Sequence, residues 1–245
     1  MIPLRDLNPT RRRPIVTYSL IAVNVAVWLY QFSLNGLTIG GATPEFQYFV
    51  YRWGVIPYYL TVEPTLGSLL TPFTSMFMHG GWLHLIGNMW FLHVFGDNIE
   101  DELGHARYLL FYLLSGLGAV ALQVAIDPAS TVPMVGASGA IAGVLGGYLM
   151  LHPRARIITL VPIFIFVQFV ELPAFLFLFV WFGLQLLYGM TSLGLPEPAG
   201  GVAFFAHVGG FVVGLALVRF MRLPQRARRG GAIEPELRRR PRHQW

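Results

Sequence analysis

A chain of 245 residues that is 55% hydrophobic and only 12% charged carries about half the charge expected of a soluble domain, which excludes an ordinary globular surface. Its net charge of +5 comes from arginine without lysine, and the arginines gather at the N-terminus, at Arg154 and Arg156, and from Arg219 to Arg242. That is the pattern of loops flanking membrane spans rather than of a nucleic-acid-binding face, and the absence of cysteine excludes disulfides, thiol chemistry and cysteine-ligated metals.

The first predicted span covers residues 14–34, with Pro14 suited to a first helical turn. It is too long for the core of a cleaved signal, and no small-residue cleavage site follows it. A polar and aromatic loop over 35–80, with Trp53, Tyr58 and Tyr59, is long enough to carry its own structure. Spans over 81–100 and 106–126 follow, then a short connection from Asp127 to Pro133 and a fourth span over 136–152. The apolar stretch 157–170 is short and interrupted by Pro162 and Gln168, which predicts an interfacial or re-entrant segment. A fifth span covers 172–191, Pro196 and Pro198 mark a turn, and a sixth span covers 202–221; the aromatic-rich run from Phe164 to Phe182 is expected to be lipid-facing surface.

The expected fold is an all-α polytopic membrane bundle of six transmembrane helices with a long first loop. Residues 1–13 form an N-terminal cytoplasmic segment, 14–221 the six-span domain, and 222–245 an Arg-rich cytoplasmic tail expected to be disordered. With both termini cytoplasmic, every arginine except Arg52 falls on the cytoplasmic side. Counting 157–170 as a seventh crossing would push the whole Arg-rich tail outside.

Polar side chains at membrane depth are costly and mark function. Spans two, four and six run in the same direction, from outside to inside. Near their outer ends lie His84 and Asn88, Ser138, and His207 respectively. His84 and Asn88 are four residues apart and share a helix face. Gly139, Gly143 and Gly147 in span four, and Ala206, Gly210 and Gly214 in span six, let those two helices pack backbone to backbone. His207 can then take the proton of Ser138, and the serine oxygen can attack a peptide carbonyl. His84, Asn88 and the Ser138 amide are the candidate oxyanion donors. No carboxylate lies at comparable depth to orient His207, so a dyad is expected. Singly, each of these residues reads as a packing or hydrogen-bonding group. Convergence of four at one depth favours chemistry.

In Gly136-Ala137-Ser138-Gly139, Ala206-His207-Val208-Gly209-Gly210 and the His79, His84, Asn88 series, the chain resembles the rhomboid family of intramembrane serine proteases, of the bacterial and archaeal six-span type. The segment from Glu100 to Gly104, followed by Arg107, adds to the likeness, which covers about residues 70–215. The resemblance implies an endopeptidase of the cell membrane that cleaves single-span or other membrane-anchored proteins in or near their transmembrane helix. It implies an active site near the outer face, Ser138 as nucleophile, His207 as base, His84 and Asn88 at the oxyanion and His79 in a structural position. Gly136, Gly139 and Gly210 stand near the site as structural residues. Membrane lipid is an expected partner; nucleic acid, cofactor and metal are not. The chain departs from the family in two places: Leu70-Thr71 stand where many members have Trp-Arg, with Arg52-Trp53 as a substitute, and Ala142 replaces a tyrosine that packs on the histidine in some members. Phe204 or Phe205 then become the expected neighbours of His207.

Other classes fit less well. His79 and His84 splay around a helix without the carboxylate of an HExxH zinc site, and a haem protein would leave the Gly-Ala-Ser-Gly segment unexplained. A hydrolase nucleophile elbow needs glycine where Ala140 stands. A transporter predicts internal repeats with broken helices. A catalytically silent relative would have no need of both Ser138 and His207.

Overall fold

The computed structural model describes residues 1–35, 42–163, 166–192 and 203–224. Strand β1 (Ile2–Asp6) opens the chain, and helix α1 (Ile15–Asn35) follows. The long loop folds into short helices, α2 (Pro44–Trp53), α3 (Pro57–Thr61) and α4 (Thr71–Thr74), with single 3-10 turns on either side of α4. Then come α5 (Trp82–Leu103), α6 (His105–Ile126), α7 (Ser138–Leu151), strands β2 (Arg156–Ile163) and β3 (Phe166–Pro173), and helices α8 (Ala174–Ser192) and α9 (Phe204–Met221).

Six long helices therefore stand where six spans are expected. Four of them, α1, α6, α8 and α9, are long and apolar enough to cross a membrane, and α7 is shorter but equally apolar. Their outward faces carry Leu29, Leu110, Phe179, Leu187, Met190 and Phe220 fully or half exposed, the surface of a helix bundle solvated by lipid. The chain is a polytopic helical membrane protein. The end of span four lies close to its predicted place, while the start of span six, the turn at Pro196 and Pro198 and most of the tail lie outside the described residues.

Within the stretch 157–170 the described residues, 157–163 and 166–170, are strand and not helix. They form most of an antiparallel hairpin, β2 against β3, and β1 adds to the other side of β2 in the order β1-β2-β3. Ile157 and Thr159 are buried, while β3 from Phe166 to Val170 is exposed. A short run rich in β-branched residues suits a strand as well as a buried helical turn, and one of the two strands that pair with β2 is β1, at the start of the chain, so the pattern alone does not decide. The all-α bundle thus carries one small sheet beside it.

Helix α7 is the centre of the bundle, with every residue from Gly139 to Tyr148 buried. It can be so enclosed because its neighbours meet it through glycine. A Cβ built on Gly210 would overlap the Gly139 carbonyl oxygen, and one on Gly214 would overlap the Gly143 carbonyl oxygen. Gly146 meets the Phe211 carbonyl of α9 in the same way. The expected pairing of the two glycine rows is thus realised as backbone contact.

The end of the bundle away from Ser138 is locked by polar contacts. Buried Glu100 accepts from the amides of Val16 and Thr17, both at 2.8 Å, and from the Thr17 hydroxyl at 2.7 Å, capping α1 from a distance. Asp6 accepts from the Tyr148 hydroxyl at 2.7 Å and the Asn98 amide at 2.6 Å, which ties β1 to α7 and α5. Burial pushes the Asp6 carboxyl up to about 6. Arg222 donates to Glu102 at 2.6 Å and so fastens the end of α9 to the α5–α6 turn.

Gly210→Ala is expected to cost about 1–3 kcal/mol, because a methyl there forces α7 and α9 apart. The check is thermal unfolding in detergent beside Gly183→Ala, a site with nothing within 4 Å, which should unfold as the unsubstituted protein does.

Candidate active site

Ser138 is the first residue of α7, and the turn before it is unusual. Gly136 has φ +139°, a conformation that residues with a side chain rarely adopt. A Cβ there would also come within 2.8 Å of His84 Nε2 and 3.5 Å of Ser138 Oγ. Glycine therefore leaves open a small space that the His84 ring and the Ser138 hydroxyl both border.

His207 lies in the first turn of α9. Its backbone is held from α6, where Gln123 Oε1 accepts from the Ala206 amide at 3.1 Å. The close α7–α9 contact then brings His207 Nε2 to 2.8 Å from Ser138 Oγ. That is the separation at which an imidazole can take a hydroxyl proton. On the other side of the ring, His207 Nδ1 lies 2.7 Å from Gln185 Oε1 of α8. Trp181, also of α8, covers the ring at a centroid distance of 6.1 Å and a tilt of 38°.

His84 and Asn88 both sit on the first turns of α5. The Gly80 amide donates to His84 Nδ1 at 3.3 Å, which leaves the ring proton on Nε2, the atom facing Gly136. Asn88 Nδ2 is buried and has no hydrogen-bond partner among the described residues. An orphaned buried donor is expensive, and it becomes intelligible where an anionic oxygen is to be received. A cavity of about 40 Å³ borders Ser138, lined by Met134, Val135, Gly136 and Ala203 among others, and it is large enough for water.

The sequence-predicted residues mostly converge. Ser138, His207, His84 and Gly136 border one site, while Gly139 and Gly210 supply the contact between α7 and α9. His79 is buried, with its ring edge-on to His84 at 5.1 Å and both ring nitrogens unpartnered among the described residues. Burial and the neighbouring His84 push it down to about 3, so the ring stays neutral. Its main chain is held from α1 by Gln31, which accepts from the His79 amide at 3.0 Å and donates to its carbonyl at 3.2 Å.

Two expectations need correction. The neighbours of His207 are not Phe204 or Phe205: Phe204 packs on Tyr188, Phe205 lies against Gly189, and the ring beside the imidazole is Trp181. The run from Phe164 to Phe182 is also not purely lipid-facing, since Phe177 and Leu178 are buried and Trp181 turns inward. Gln185, Trp181 and Gln123 were missed by the sequence reading. Gln185 and Gln123 are polar residues inside apolar helices, the same signal that singled out Ser138. Arg52 does not reach this site but lies over its neighbour Trp53, 4.8 Å from the ring centroid.

Comparison with known proteins bears on the family. The family model described as the Rhomboid domain matches residues 66–224. The chain is 34% identical over 142 residues to "Putative rhomboid protease YdcA" of Bacillus subtilis (strain 168), covering 58% of this chain and 64% of that protein. It is 41% identical over 70 residues to "Rhomboid-like protein 11, chloroplastic" of Arabidopsis thaliana, covering 29% of this chain and 25% of the relative. It is 27% identical over 206 residues to "Rhomboid protein 1, mitochondrial" of Saccharomyces cerevisiae, covering 82% of this chain and 51% of the relative. In each case the chain spans less than two thirds of the relative's own length.

Proposed function

The chain belongs to the rhomboid family, and from that premise we propose that it is a serine endopeptidase cutting membrane-anchored proteins in or near their transmembrane helices. The observation that carries the reading is the 2.8 Å contact between Ser138 Oγ and His207 Nε2.

The chemistry runs in two halves. Ser138 Oγ gives its proton to His207 Nε2 and attacks the substrate carbonyl carbon. The carbonyl oxygen becomes an anion that accepts from Asn88 Nδ2, His84 Nε2 and the Ser138 amide. Collapse of this intermediate breaks the C–N bond, and the leaving amine takes the proton from His207. Water then attacks the acyl-serine, passing a proton to His207, and the acid is released as Ser138 recovers its hydrogen. The reaction needs no cofactor.

The topology proposed with it has six crossings over 14–221, both termini in the cytoplasm and the site near the outer face. Residues 1–13 and 222–245 are the cytoplasmic flanks. Arginine placement supports the orientation. Helix α7 has 14 residues, about 21 Å of rise, against a hydrocarbon core of about 30 Å. A helix that short begins below the outer surface, so Ser138 sits at depth while water comes in from above. Peptide bonds in a substrate helix hide their carbonyls in hydrogen bonds, so cleavage requires local unwinding near small or helix-breaking residues. The long first loop and α8 flank the site and control access to it.

Reconstitution with a generic single-span substrate tests the dyad. Wild type should cut it, whereas Ser138→Ala and His207→Ala should reduce kcat to background with the bundle still folded. Cutting at the wild-type rate by either variant would refute the mechanism. In the same assay Asn88→Ala is expected to lower kcat about 10²–10³-fold with KM little changed; an unaltered kcat would remove Asn88 from the oxyanion site.

A further inference from the structure

The described contacts leave Gln185 with a task beyond packing. It lies in the middle of α8, a helix that is otherwise apolar around it, and its side-chain amide makes two hydrogen bonds of opposite sense. Nε2 donates to the Trp181 carbonyl one turn back, at 3.5 Å, and Oε1 lies 2.7 Å from His207 Nδ1. The first bond fixes which way the amide faces, since only nitrogen can donate to a carbonyl. The oxygen that remains toward His207 can only accept. His207 Nδ1 must therefore carry the proton, and the neutral ring keeps its lone pair on Nε2, the atom 2.8 Å from Ser138 Oγ.

We infer that Gln185 is the positioning residue of the catalytic base, holding His207 in the tautomer and orientation that let it accept the Ser138 proton. The inference rests on the Ser138–His207 reading and deepens it. It answers a need that the dyad creates: an imidazole on a single helix can spin about its side-chain torsions, and in its other tautomer it presents a proton, not a lone pair, to the serine. Soluble serine proteases meet this need with a buried aspartate. Here the surroundings are apolar helices in lipid, where a permanent charge is costly, and an uncharged amide supplies the same acceptor without one. Trp181 completes the clamp by covering the face of the ring from the same helix. Both holders come from α8, so the orientation of the base depends on α8 staying docked against α9.

A fluorophosphonate probe, which phosphonylates an activated serine hydroxyl with loss of fluoride, reports on Ser138 without a protein substrate. The full chain in detergent at pH 8 is compared with Gln185→Leu, Gln185→Met and Gln185→Glu, and peptide-cleavage kcat and KM are measured in parallel. The Leu and Met variants keep the side-chain volume and remove the acceptor. They should label roughly 10-fold more slowly, the worth of one hydrogen bond, with kcat falling in step and KM nearly unchanged. Glu restores an acceptor at the same reach and should label within about 3-fold of wild type. A residue that merely packs predicts the reverse order, with Leu and Met tolerated and a buried carboxylate harmful. Thermal unfolding of each variant identifies any that has lost its fold, and Leu and Met serve as alternatives to each other. Wild-type labelling by the folded Leu or Met variant, or a Glu variant as slow as they are, overturns the proposal. Ser138→Ala separates the two readings: if it labels as fast as wild type, the dyad itself is wrong, whereas its failure to label beside an unaffected Leu variant sinks the role of Gln185 alone.

Discussion

The approach of α7 to α9, glycine backbone against glycine backbone, sets the distance on which the site depends. Gly139 meets Gly210 and Gly143 meets Gly214 with no room for a methyl group. Without a hydrophobic driving force between helices in lipid, such contacts gain from dense van der Waals packing and from the absence of side chains to order. Ser138 lies one residue before the first of these glycines and His207 three residues before its partner. The packing that holds the bundle therefore also fixes the hydroxyl and the imidazole at 2.8 Å. Helices held apart by leucine would leave the two groups out of reach of each other.

The polar groups of the molecule divide into two sets. At one end Glu100, Asp6, Glu102 and Arg222 are hydrogen-bonded and tie β1, α1, α5, α7 and α9 together. At the other end Ser138, His207 and Gln185 are linked, His84 accepts from the Gly80 amide, and the Asn88 amide is buried with no partner among the described residues. A hydrogen-bonded network specifies structure, and a buried donor without a partner beside a reactive pair is what an oxyanion site would need. The opposite end thus keeps α5 and α7 in register, so that their first turns can present His84, Asn88 and Ser138 together.

Much of this was legible in the sequence because membranes make polar residues conspicuous. Ser138, His207 and His84 stand out against leucine and glycine. The glycine rows were readable for the same reason. What was not legible depends on distant pairing. The β2–β3 hairpin looks like any short apolar run, and its third strand is formed by the first residues of the chain. Gln185 was visible as an amide in an apolar helix, but nothing in the spacing says that α8 turns that face toward His207 rather than toward lipid. An aromatic ring does lie beside His207, but it comes from Trp181 of α8 and not from α7 or α9.

The central claim is that Ser138 is a nucleophile activated inside the bundle. Its most direct measurement is the mass of the protein after reaction with a fluorophosphonate, with the modified residue located by peptide sequencing. The account predicts one adduct per chain, on Ser138, formed by wild type and absent from His207→Ala. Modification at another residue, or equal modification of Ser138 when His207 is replaced, would contradict it.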